Sequence, residues 1–421
     1  ATRVTMRRTW PAARRLQEGC LRRHLAAQAA GEGLDAGARE AQELESQISF
    51  GPNVRVKPEP LPPMRPRAAP SATTAAAASR PRRPRSDAPP PGTPYAKELR
   101  LLSYVLEHAT PGDPLSVCEQ IERFGEEVLT QYGQWLKVAG AQKAWVLKAG
   151  LQGVPRGGSI LEIGAYCGYS AIRMSLALPG VRIVTLEVDP AHMVIARNIV
   201  AFAGLAHMID VWTGHSKDLL PRLPNRYGGP KHFKISAVFM DQRGSRYHED
   251  LAVLERMGLL LPEAVIIADN VLKPGSPLFL WRLISSDAYD THIVRVPEFA
   301  MPSEDWMSVS KLRRPPPPPE GDPAEAAAAV PSGAMASADG PEDLVQLQWE
   351  SDRVRTQATR PGQGVSFAEW ASFADNMKQR LRQWGIYATV DASSLQDGYQ
   401  LFPRPLAPPG VLRERWQPLE E

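Results

Sequence analysis

The run Ser159-Ile-Leu-Glu-Ile-Gly-Ala-Tyr-Cys-Gly-Tyr-Ser170 constrains this chain more than any other stretch. An apolar strand ends, Gly164 and Gly168 bracket a tight turn, and a helix starts near Ser170. Glycine at such places lets backbone approach a ligand with no Cβ in the way, and the helix N-terminus offers unpaired N–H donors. A second apolar strand, 181–188, carries Glu187 near its tip, where a doubly wound fold holds a ribose diol. A dinucleotide site would show G-x-G-x-x-G after the first strand. The spacing here is E-x-G-x-x-x-G, Glu162 to Gly168, with no second close glycine for a pyrophosphate. Such a loop suits a cofactor with an adenosine and no phosphate, which points to S-adenosylmethionine.

Strands and helices alternate around that loop. Helices are expected over 115–131 and 141–150, ahead of the first strand at 159–165. Strands 181–188, 208–214, 235–241 and 264–270 follow, separated by helices over 170–178, 190–203, 216–222 and 248–257. The strands read as continuous apolar runs, as expected when helices cover both faces. Two further strands, 291–297 and 306–312, form a closing hairpin. The pattern predicts an α/β, doubly wound, Rossmann-like sheet of seven mostly parallel strands with an antiparallel last strand. Ligands then bind at the carboxyl ends of the strands.

Composition sets the boundaries. Of 421 residues, 41 are proline, and they cluster outside the middle of the chain. Residues 51–95 and 313–342 lack periodicity and large apolar side chains, so they cannot bury enough surface to offset ordering entropy. The expected division is a disordered extension 1–94, a catalytic domain 95–312, a Pro/Ala-rich linker 313–342 and a C-terminal extension 343–421. In the last, Ser366-Phe-Ala-Glu369 is a capping box opening an amphipathic helix over 367–384. Its apolar stripe suits docking on the core or on a protein partner. Residues 3–25 carry seven arginines against the single acid Glu18, as a solvated tail or an organellar presequence would. Aromatics are nearly absent among those arginines, which argues against nucleic-acid binding. The net charge of +3 says little about partners. Cys20, Cys118 and Cys167 show neither disulfide nor zinc spacing, and no apolar stretch approaches the eighteen residues of a membrane span. A cytoplasmic monomer acting on a small molecule is the expectation.

A second constellation sits at strand ends. Asp241 closes the fourth strand, and Asp269-Asn270 closes the fifth. Neighbouring strands would bring these side chains to the same rim as Glu162 and Glu187. Two carboxylates and an amide oxygen form half of a hard octahedron, which suits Mg²⁺ and leaves positions for water and substrate. Vicinal hydroxyls could chelate such an ion, which would lower the pKa of one of them.

On these residues the segment 96–312 resembles catechol O-methyltransferase. Matching stretches are Leu102–Ala109, Leu161–Arg173, Phe202-Ala-Gly204, Asp241–Tyr247 and Ala268–Pro277. The resemblance implies a class I methyltransferase, S-adenosylmethionine as donor, and Mg²⁺ on Asp241, Asp269 and Asn270. Glu187, with Val188 beside it, would hold the ribose. Gly164, Gly168, Tyr166, Ser170 and Glu162 would surround the methionine moiety, and Ser216 the adenine. Trp135 and Pro274 match two apolar gatekeepers of the acceptor ring, and Asn270 reaches the acceptor as well.

Departures from the family pattern are informative. Gly244 stands where the family has a lysine base, and Arg243 replaces a tryptophan gatekeeper. The family's late glutamate falls at Trp306 or Met307 by loose alignment. Lys137 replaces a methionine, and it is the candidate replacement base, its pKa lowered by the metal charge. Lys273 reads as a solvated lysine. The expected activity is Mg²⁺-dependent O-methylation of a catechol or similar vicinal diol. The alternatives are another phenolic acid, its carboxylate read by Arg243, and a weakened scaffold that binds a protein partner.

Overall fold

The apolar runs become strands in the computed structural model, which describes residues 94–132, 134–301, 303–314, 340–359 and 364–403. The extension up to residue 93, with its arginine-rich segment and Cys20, lies outside the described residues, as does the run 315–339. Contacts divide the chain after Leu101, and the sheet and the site belong to the unit Leu102–Glu421.

Helices α1 (Ala96–His108), α2 (Pro114–Arg123) and α3 (Gln142–Leu151) precede β1 (Ser159–Ile163). Then come α4 (Tyr169–Ala177), β2 (Ile183–Glu187), α5 (Pro190–Phe202) and β3 (Ile209–Thr213). After β4 (Ile235–Met240), α6 (Tyr247–Arg256) and β5 (Leu260–Ala268), helix α7 (Pro277–Ile284) leads to β6 (Tyr289–Pro297) and β7 (Glu304–Leu312). The C-terminal region adds α8 (Glu342–Thr359), α9 (Phe367–Gln383) and a two-residue strand β8 (Val390–Asp391).

The sheet order is β3-β2-β1-β4-β5-β7-β6-β8. Strands β1 to β5 pair in parallel, and β7 runs antiparallel to both β5 and β6. Both β2 and β4 are buried along their whole length, which requires cover on each face. The chain reverses its winding between β1 and β4, so their carboxyl ends open the crevice where a doubly wound sheet binds ligands.

Several expectations need correction. The sheet has eight strands rather than seven, because Val390 pairs with Val294 and extends the β6 edge. The expected helix 115–131 stops at Arg123 and continues as a wide π-turn, Phe124–Leu129. Gly125 lies in that turn, where a Cβ would stand 2.6 Å from the Phe299 ring. The helix expected over 216–222 is a single turn, Ser216–Leu219. Helices α7 and α8 have no counterpart in the sequence reading.

Asp189 caps α5 ahead of Pro190, and the Ser366/Glu369 capping box is formed at α9. The stripe of α9 (Trp370, Ala374, Met377, Leu381) faces the core, joined there by Leu344 and Leu347 of α8 and Leu278 of α7. A Cβ on Gly275 would sit 3.0 Å from Met377 Cε and 3.2 Å from Ser351 Oγ. The turn after β5 is therefore where α8 and α9 close on the domain. Among the described residues no helix is long and apolar enough to cross a membrane.

Candidate active site

A cavity of about 710 Å³ opens at the carboxyl ends of β1, β2, β4 and β5. Its donor side begins at Gly164, whose φ is +108° and whose Cβ would lie 2.4 Å from the Asp241 carbonyl oxygen. Only glycine lets the tips of β1 and β4 approach so closely. Tyr166 donates its backbone N–H to Glu187 Oε2 at 2.7 Å, and Asp189 N donates to Oε1 at 2.9 Å. Two amides thus fix the Glu187 carboxylate at the tip of β2. His192 meets the Tyr166 ring edge-on, with centroids 4.9 Å apart. Ser216 lines the same wall and donates to Asp250 Oδ2 at 2.8 Å, while Val188 stands exposed at the rim.

Glu162, Gly168 and Ser170 do not line the cavity. Glu162 is fully buried and accepts hydrogen bonds from the Ser170 and Thr185 hydroxyls. Burial pushes its carboxyl up to about 7 despite those bonds. Gly168 adopts φ +84° ahead of α4, where a Cβ would stand 3.2 Å from the Val200 side chain. These three residues shape the loop from behind.

Asp241, Asp269 and Asn270 all line the cavity wall. Asn270 holds φ at +55°, a conformation asparagine tolerates better than most residues, and donates Nδ2 to Asp305 Oδ2 at 2.8 Å. What the sequence did not reveal is Lys143. It is buried, with Nζ 2.9 Å from Asp269 Oδ1, 2.9 Å from Glu298 Oε1 and 3.3 Å from Asp305 Oδ2. Burial alone would push this ammonium down, but the three carboxylates outweigh it and hold Lys143 well above the ordinary lysine value. Lys273, expected in solvent, is also buried; it donates to Ser303 and lies 3.9 Å from Glu298 Oε2.

Four carboxylates (Asp241, Asp269, Glu298, Asp305) therefore face two ammoniums (Lys143, Lys273), a deficit of two positive charges. Asp241 carries that deficit: burial, then repulsion from Asp269, raises its carboxyl well above the usual range. No side-chain donor among the described residues hydrogen-bonds to it. The group of donors fits a hard divalent cation in charge and chemistry. No three His, Cys, Asp or Glu side chains form a ready cage among the described residues, so the amide oxygen of Asn270 would be the third donor.

The acceptor side holds Trp135, Lys137 and Pro274. Gly244 is buried, and a Cβ there would meet the Gly275 carbonyl oxygen at 2.7 Å, so backbone fills the direction a side chain would take. Arg243 lines the rim but pairs with Asp352 of α8, Nε to Oδ1 3.0 Å, which removes it as an unpaired reader of a substrate carboxylate. Trp306 and Met307 are buried within β7; the late carboxylate at the cavity is Glu298, just past β6. Its acidity is set by opposing effects: burial raises it, while Lys143 and Lys273 override burial and hold it below the ordinary value. Arg355, Ala358 and Thr359 of α8 and Trp370 of α9 complete the wall. A lysine directly before the apolar run Ala144-Trp-Val-Leu147 was the available signal for Lys143, and none marked Arg355.

Residues 122–281 match the O-methyltransferase family model. The mouse catechol O-methyltransferase is 38% identical over 198 residues, 47% of this chain and 71% of that protein. The chain belongs to the catechol O-methyltransferase family. A zebrafish member, catechol O-methyltransferase B, is 36% identical over 47% of this chain and 72% of its own length. The human transmembrane O-methyltransferase is 34% identical over 48% and 68%. An O-methyltransferase from Bacillus cereus, solved with SAH, aligns over 51% of this chain and 97% of its own with 22% identity and a TM-score of 0.37. The family-model match, residues 122–281, ends before α8 and α9 begin.

Proposed function

We propose that this chain transfers the methyl group of S-adenosylmethionine to one hydroxyl of a catechol or similar vicinal diol, with Mg²⁺ held by Asp241, Asp269 and Asn270. The observation that carries this reading is the excess of carboxylates around Asp241 and Asp269, four against two ammoniums, on the same wall as the amide-fixed Glu187. Glu187 takes the ribose diol, and the Gly164 turn admits the methionine moiety without a Cβ in the way. When bound, the divalent ion supplies a Lewis acid that makes an acceptor hydroxyl more acidic. Trp135 and Pro274 face the acceptor ring and hold it in line with the methyl group. Lys137, on the rim loop, takes the hydroxyl proton. Lys143 cannot, because three carboxylates keep it an ammonium.

The test is catechol methylation by the full chain with added Mg²⁺, with EDTA, and after Mg²⁺ is restored. Loss and recovery of turnover are expected, together with weakened donor binding in Glu187→Ala. Turnover indifferent to EDTA and to Asp241→Asn would remove the metal from the reading. Full activity in Lys137→Met would remove the base.

A further inference from the structure

The cations around the cavity differ in one respect. Lys143 is held by three acids, Arg243 by Asp352, Arg246 by Glu249, and Lys273 by Ser303 with Glu298 near. Arg355 is half-buried, lines the same cavity, and among the described residues no carboxylate lies within ion-pair distance of its guanidinium. A desolvated guanidinium without a partner is costly, and proteins retain such groups where a ligand supplies the missing charge. Burial first, and then repulsion from Arg243, holds Arg355 below its ordinary value, so its charge is under-compensated in the protein alone.

Its place in the fold narrows what the ligand is. Arg355 precedes Ala358 and Thr359 by one helical turn, and all three line the cavity, so α8 presents one face to it. The neighbouring wall is aromatic: Trp370 lines the cavity, and Phe367 lies 6.5 Å from Trp135, ring centroid to centroid. The aromatic wall marks the acceptor side. The Arg243–Asp352 pair ties α8 to the loop after β4 and so positions Arg355.

We propose that Arg355 binds a carboxylate carried by the acceptor, so that this chain prefers acidic catechols to neutral or cationic ones. The inference rests on the proposed methyl transfer to a catechol and names its substrate class. A planar guanidinium matches a carboxylate with two parallel N–H···O bonds, and a cationic amine in the same place is repelled. Among the described residues no carboxylate forms an ion pair with Arg355, and the attraction of Asp352 and Asp241 leaves burial and Arg243 uncompensated, whereas Arg243 is already engaged.

The experiment compares 3,4-dihydroxyphenylacetate, 4-ethylcatechol and 3,4-dihydroxyphenethylamine as acceptors for the full chain and for Arg355→Lys, Arg355→Ala and Arg355→Glu. Binding of each acceptor is followed in parallel by quenching of tryptophan fluorescence. A charge-assisted pair predicts an acid-over-neutral preference in kcat/KM of about tenfold or more. Arg355→Ala should erase that preference through KM, Arg355→Lys should restore part of it, and Arg355→Glu should turn it toward the amine. An unchanged acid-to-neutral ratio in Arg355→Ala overturns the inference, as does a loss confined to donor affinity. Turnover of all three catechols with no dependence on Arg355 leaves methyl transfer standing and removes the carboxylate. Arg355-dependent binding of the acid without turnover of any catechol does the reverse.

Discussion

Position 244 shows how a single residue can mislead comparison by sequence. Restoring the family's lysine there looks like repair, yet a Cβ would stand 2.7 Å from the Gly275 carbonyl oxygen, and backbone cannot swing aside as a side chain can. Gly244→Lys is therefore expected to lower the melting temperature and to reduce methyl transfer, with an overpacking cost of about 1–3 kcal/mol. A gain in turnover would show that the 275 turn yields. Glu162 permits a second prediction, of pH dependence. Its folded-state pKa, about 7, lies above the ordinary 4.5, so the folded protein binds the proton more tightly than the unfolded chain. The contribution is complete below pH 4.5 and is lost as pH rises through about 7. The full effect is on the order of 3 kcal/mol. Glu162→Gln keeps a partner for Ser170 and Thr185 and carries no charge. Its melting temperature should fall less than that of the parent between pH 5 and 8, and equal slopes would refute the shift.

At the scale of elements, what the sequence disclosed depended on how local each signal was. Strands β1, β2 and β4 were legible because parallel strands covered on both faces are mostly apolar, as in Ile235–Met240. Helix α9 was legible because its capping box and stripe are written in consecutive residues. Helix α8 was not: it leaves Trp349 exposed, carries many charged residues, and gains its buried face only by meeting α7 and α9. Lys143 escaped notice for the same reason, since its three carboxylates come from distant parts of the chain. The docking of α9 supports a further prediction. Met377 is fully buried and would stand 3.0 Å from a Cβ at Gly275, so Met377→Ala should cost about 2–5 kcal/mol and loosen α8 and α9 together. Faster hydrogen exchange across 342–383 with β1 and β2 unchanged is the expected pattern. Uniform loss of protection would mean that the helices and the sheet unfold as one.

Over the whole molecule the net charge of +3 conceals a local imbalance of opposite sign. Four carboxylates gather at the ends of β4, β5 and β6 and the start of β7 against two ammoniums, and Asp241 is held at an unfavourable ionisation by burial and by Asp269. A folded state strained in this way should gain stability from any divalent cation that binds it and not the unfolded chain. By mass action the gain is about 2.7 kcal/mol at a hundred times the dissociation constant. For a domain of this size that corresponds to a rise of roughly 5–10 °C in melting temperature. Mg²⁺ should produce the rise in the parent protein with no donor or acceptor present, and Asp241→Asn should abolish it. Lys143→Met deepens the deficit to three charges while removing the partner of Asp269, Glu298 and Asp305. That variant should melt lower than the parent without Mg²⁺ and gain more from it. If Lys143→Met gained less, the ammonium would be helping to build the ion site rather than offsetting its charge. If neither protein responded to Mg²⁺ while catechol methylation continued, these carboxylates would hold the fold at its strand ends and no ion at all.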